Sequence, residues 1–199
     1  MLTRRERILH GAAEVVSRHG YHGASLRAIA RHVGMSHPGM LHHFPTKQSL
    51  IDGIVEHLER QTRCLLQNVE HVGTHPEGFV QDLRNYWISH RFDLELLARL
   101  DAEAVGHQVP HRLSLARLRL VHEHVWTTAF VNLAHHGHLR EGTDVDLAGR
   151  TLCGFLLASS LREHTVGEQQ RDHDHDPLDD LRLLIDMYVH PSGGARSGP

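Results

Sequence analysis

Cysteine is nearly absent from this sequence: Cys64 and Cys153 are the two in 199 residues, far apart and each within a helical pattern. That placement argues against a disulfide framework and fits a reducing, cytoplasmic setting. Aromatic residues are few, and the period-two alternation of half-buried strands is missing, which leaves an all-helical chain. No apolar run is long enough to cross a bilayer. Arg4, Arg5 and Arg7 open the chain, but no apolar stretch with a small-residue cleavage site follows, so no secretory leader is read there. A glycine-rich phosphate loop and a nucleophile elbow are lacking too, which argues against nucleotide-dependent or hydrolytic chemistry and for a protein that is not an enzyme. The length allows one or two domains with a sizeable core.

What is present is unevenly placed. Residues 1–47 hold seven Lys or Arg against two Glu, a balance of +5; the rest hold fourteen against twenty-two, or −8, in a chain of net charge −3. A basic head on an acidic body suits a nucleic-acid-reading module joined to a regulatory one. Histidine is the other excess, at 22 residues. The densest run is Asp172-His173-Asp174-His175-Asp176, with His107, His111, His122, His124, His135, His136 and His138 elsewhere in the acidic part. Imidazole with carboxylate suits zinc or nickel, yet His107 and His111, which have helical spacing, are separated by Pro110. No metal site and no cofactor is therefore assigned, and 168–177 reads as a polar connecting loop. Because imidazoles change charge near neutral pH, a metal- or pH-responsive regulator stands as the alternative. A metal-dependent hydrolase built from the His and Asp residues is a more distant one.

Residues 25–51 carry the most specific pattern. Ser25 is a candidate N-cap, and Leu26, Ile29, Ala30 and Val33 form one apolar stripe. Gly34 can take the positive φ of a sharp helix–helix turn. Ser36 caps a second short helix, where Pro38 is tolerated because no intrahelical bond is lost so early. A further helix starts after Pro45. Two short helices about a glycine turn are a DNA-reading layout, with the second helix entering the major groove. Met40 and Phe44 read as core. Beyond this region, helical periodicity marks segments near 3–19, from 47 to Gly73, 77–91, 93–105, 111–136, 145–165 and 177–189, about nine helices in all.

The stretch SLRAIARHVGMSHPGMLHHFPTKQSL resembles the N-terminal domain of TetR-type transcriptional repressors. Ile29, Ala30, Gly34, Ser36, His43, Phe44, Lys47 and Leu50 fall in register with that family's motif without a gap, and the resemblance is specific over residues 5–55. One departure is Leu41, where the family usually has a tyrosine that touches a phosphate. The resemblance implies a helix-turn-helix DNA-binding domain over 1–47 and a helical ligand-binding and dimerisation domain over 48–190. The tail 191–199, poor in apolar residues, is expected to be disordered. The implied activity is that of a homodimeric repressor bound to a palindromic double-stranded operator and released by a small-molecule effector. Its two reading helices would sit about 34–36 Å apart.

Candidate residues follow. Ser25, Ser36, His43 and Lys47 are assigned to phosphates, and Arg27, His37, Gly39 and His42 to base edges or nearby backbone. For the dimer surface, Leu152, Phe155 and Ser159 lie on one helical stripe and Leu181, Ile185 and Tyr188 on the next, enough for a four-helix bundle between two subunits. The effector pocket is expected from Phe79, Tyr86, Trp87, His90, His122, Trp126 and Phe130, apolar rings with a few polar groups.

Overall fold

A computed structural model describes residues 3–69, 72–106, 112–166 and 176–190. Eight helices are found among them: α1 (Arg4–Gly23), α2 (Leu26–His32), α3 (His37–His43), α4 (Lys47–Asn68), α5 (Pro76–Gly106), α6 (Arg112–His135), α7 (Val145–Thr165) and α8 (Pro177–Asp186). The all-helical expectation is met. The segments expected at 77–91 and 93–105 are one helix, α5, because neither Gly nor Pro falls between them to release the backbone. None of the described helices is long and apolar enough to cross a membrane.

Two compact units divide the chain: 1–62 with 92–121, and 63–91 with 122–199. In the first, α1 opens with a capping box, the Thr3 hydroxyl accepting from the Glu6 N–H at 3.2 Å while the Glu6 carboxylate accepts from the Thr3 N–H at 2.7 Å. Ile8, Leu9, Ala12, Val16, Ile29, Met40, Phe44, Leu50, Ile51 and Ile54 supply the core beneath α1 to α4. Glu14 of α1 and His32 of α2 are joined at 2.6 Å, which ties the start of the reading motif to the bundle. Further along, Glu59 is buried and meets the Arg117 guanidinium with two hydrogen bonds, one of 3.0 Å to Nη2.

In the second unit the core is aromatic. Phe79 lies edge-on to Phe130, Phe130 to Tyr188 and Tyr86 to Trp126, at centroid distances of 5.6, 5.4 and 5.0 Å. Gly149 of α7 lies against Thr127 of α6 so closely that a β-carbon there would stand 2.6 Å from the Thr127 nitrogen. Behind α8 the chain makes a lone antiparallel bridge between Leu139 and Val189, and the Arg140 guanidinium donates to the carbonyls of Val189 and Asp186 at 2.9 and 3.1 Å.

The His32 contact holds the Glu14 carboxyl below its ordinary value of 4.5, aided by His10, while partial burial opposes. A depressed folded-state value means that this stabilisation is complete above the unfolded carboxyl's pKa and disappears as pH falls through the folded one. The wild type should therefore lose more melting temperature than Glu14→Gln between about pH 6 and pH 3, read by circular dichroism. Equal losses would show that the contact contributes nothing.

Candidate nucleic-acid interface

The reading motif is built by three local devices. The Ser25 hydroxyl accepts from the Ala28 N–H at 3.1 Å and starts α2. At its end Gly34 has φ 67°, and the Met35 and Gly34 N–H groups bond back to the carbonyls of Ala30 and Arg31 at 2.8 and 3.3 Å. Ser36 then accepts from the Gly39 N–H at 3.2 Å and starts α3, with Pro38 in its first turn. Met40 and Phe44 are fully buried, as expected, and fasten α3 to the core. The outward side of α3 is left to His42 and His43, both exposed, and to the half-buried His37 and Gly39. Leu41, in the position of the family's tyrosine, is also exposed.

Arg27 stands exposed on the first turn of α2. Both serine hydroxyls are engaged as acceptors by their own helices, but each keeps an O–H to donate to a phosphate. Thr46 and Ser49 exchange hydrogen bonds at 3.2 and 3.0 Å and so start α4. Lys47, the first residue of α4, does not extend outward. Its ammonium lies 4.3 Å from the centroid of the Tyr21 ring and donates to the His22 carbonyl at 3.5 Å. Partial burial pulls its pKa below the ordinary lysine value, and the negative charge of Glu103 partly opposes that. All eight candidates thus lie in α2, α3, their caps and the first turn of α4, within the first unit. Tyr21, His22 and Glu103 around Lys47 were not among the candidates.

The other two groups of candidates fare differently. Phe79, Tyr86, Trp87, His122, Trp126 and Phe130 are buried and His90 is half-buried, all in the second unit. His90 stacks on Tyr86 at 4.6 Å, and the Trp126 indole N–H is buried with no acceptor among the described residues. A separate opening of about 420 Å³ lies in the first unit, lined by Asp101, Ala102, Ala104, Val105, Leu115 and Ala116, none of them expected. On α7 and α8, burial corrects the dimer candidates. Leu152, Leu181 and Ile185 are 1 % exposed or less, inside the chain's own core, and Ser159 is buried as well. Tyr188 is half-buried against Phe130. Of the six, Phe155 lies half-exposed on α7, beside the exposed Leu147 and Ala158. On α8 and its C-cap the exposed apolar side chains are Leu183 and Met187. The stripes are real, but they are wide, and their inner edge is consumed by intramolecular packing.

Among the described residues no group of three or more His, Cys, Asp or Glu is arranged to hold a metal ion. His107, His111, residues 172–175 and the tail 191–199 lie outside the described residues.

A buried-backed short helix, held to its predecessor by a left-handed glycine and flanked by cations, defines a helix-turn-helix DNA-binding protein. Residues 8–54 match the family model described as bacterial regulatory proteins, tetR family. Residues 8–54 thus carry the DNA-binding domain of the TetR family, and the curated relatives that the chain resembles are transcriptional regulators rather than enzymes. The chain is 27 % identical over 150 residues to the HTH-type transcriptional repressor AcnR of Corynebacterium diphtheriae, a match covering 72 % of each chain. It is 41 % identical to the HTH-type transcriptional regulator UidR of Escherichia coli over 61 residues, 31 % of this chain and 30 % of that one. In fold it is similar to the transcriptional regulator FadR of Bacillus subtilis, solved in complex with stearoyl-CoA, with a TM-score of 0.68 at 16 % identity over 91 % of this chain and 95 % of that one.

Proposed function

We propose that the protein is a homodimeric repressor that binds a palindromic double-stranded operator and leaves it when a small molecule occupies the second unit. The single observation that carries the reading is the geometry of 25–47: two capped helices about Gly34, with Arg27, His37, His42 and His43 turned from the core. In this reading 1–47 is the DNA-binding domain and 48–190 the regulatory one, working in the cytoplasm. Dimerisation is supported by the outer edge of α7 and α8, where Leu147, Leu183 and Met187 are more than half exposed. Effector binding is supported by the aromatic cluster and by the Trp126 N–H, a buried donor that an acceptor on a ligand would satisfy. FadR, of similar fold, holds an acyl-CoA, which makes such an effector site reasonable for this architecture.

The test is fluorescence anisotropy on duplexes from the DNA flanking the protein's own gene, across a salt series with random DNA as competitor. Preference for one duplex over random DNA by about a thousandfold, at two chains per site, is expected. Arg27→Ala should relax sequence preference by about 1–3 kcal/mol. Lys47→Ala should weaken all duplexes alike and flatten the salt slope by about 0.9. Equal affinity for every duplex, unmoved by either substitution, would remove the assignment.

A further inference from the structure

The break in α1 is built around a carboxylate from a distant helix. Gly20 has φ 70° and ψ 173°, so the helical hydrogen bonding is interrupted there. The Tyr21 N–H that this leaves is taken by the Glu103 carboxylate of α5, at 2.7 Å. Glu103 also lies directly against Gly20, where any β-carbon would collide with its Oε1. Only glycine satisfies both demands, a left-handed backbone and room for the carboxylate. The residues so fixed, Tyr21 and His22, are the two that hold the Lys47 ammonium, by ring face and by carbonyl. Glu95, two turns earlier on α5, accepts from the buried Ser17 hydroxyl at 2.9 Å, so α5 grips α1 at two places.

We propose that Glu103 is a positioning residue for DNA binding: it docks on the α1 break and keeps Lys47 parked on Tyr21 and His22 until a phosphate draws it out. The chemistry is a competition. A lysine over a tyrosine face, with a carbonyl as acceptor and a carboxylate nearby, has exchanged part of its hydration for fixed partners. A phosphate must draw it out of that arrangement, and the strength of the hold is set from α5. This inference rests on the reading of Lys47 as a phosphate contact.

The experiment is a double-mutant cycle on the full chain, measuring affinity for random duplex DNA against salt. Glu103→Gln keeps an oxygen for the Tyr21 N–H and removes the charge; Glu103→Ala removes both. Affinity at low salt should rise about threefold in the first and about tenfold in the second, with the salt slope unchanged, because Lys47 meets its phosphate in the wild type as well. In a Lys47→Met background both gains should vanish. Unchanged or lowered affinity in the near-isosteric Glu103→Gln would overturn the proposal, as would gains that persist without Lys47, since those report only a lost negative charge. Failure of the wild type to bind duplex DNA in a salt-dependent way would instead break the DNA-contact reading beneath it.

Discussion

Glutamate in place of both Leu147 and Leu183 should leave the chain folded and cost it its operator. Leu183 is 65 % exposed and Met187 68 %, on a helix whose other face is fully buried by Leu181 and Ile185. Across α7 the same division holds, with Leu147 and Ala158 outward and Leu152, Leu156 and Leu157 inward. Charges on the outer edges therefore meet water in a lone chain, where surface substitutions shift stability by about 0.5 kcal/mol or less. In a dimer they would be buried unpaired, a cost of several kcal/mol for each. Losing the second subunit removes the effective concentration that links two half-sites, so operator affinity should fall roughly 10²–10⁴-fold. Sedimentation equilibrium should report a monomer, and circular dichroism an unchanged helix content. A variant that stays dimeric, or a monomer that keeps its operator affinity, would show that these edges are not the interface.

The second large effect concerns stability. Gly149→Ala places a methyl group 2.6 Å from the Thr127 nitrogen and 2.8 Å from its α-carbon, both backbone atoms of a neighbouring helix that cannot swing aside. Overpacking of this kind costs about 1–3 kcal/mol, and each kcal/mol lowers the melting temperature of a chain this size by about 2–4 °C. Gly78→Ala is the internal control. Its β-carbon would have His75 Cδ2 as its nearest neighbour at 3.6 Å, in ordinary contact, within helix α5. There alanine should stabilise by about 0.5–1 kcal/mol through the lost freedom of glycine. Opposite signs for the same chemical change separate helix crossing from helix propensity. A neutral Gly149→Ala would mean that α6 and α7 are free to move apart.

The parts of the molecule that are local in sequence were legible in it. The caps at Ser25 and Ser36 and the turn at Gly34 depend on partners at most five residues away, and the apolar side of α3 announces Met40 and Phe44 as core; all are found as read. The segments at 77–91 and 93–105 form one helix, α5, because no residue between them ends a helix. Periodicity found the apolar stripes of α7 and α8 but not which edge of each stripe is inside. That choice is made by neighbours such as Phe130 against Tyr188, remote in the chain. Glu103 was invisible for the same reason. It acts on Tyr21 from 82 positions away, and nothing in the text around either residue announces the other.

Seven residues of helix have no standing of their own in water, so α3 exists because Met40 and Phe44 are locked beneath it. The labour is divided along its length: two inward residues carry the stability, whereas His42 and His43 point outward and His37 is only half-covered. Exposed substitutions change folding free energy little. If 37 and 42 face base edges as proposed, new base preferences can therefore be sampled there without bringing the domain nearer its stability threshold. The descendants of such a chain can drift to other operators one imidazole at a time, on a scaffold that does not register the change.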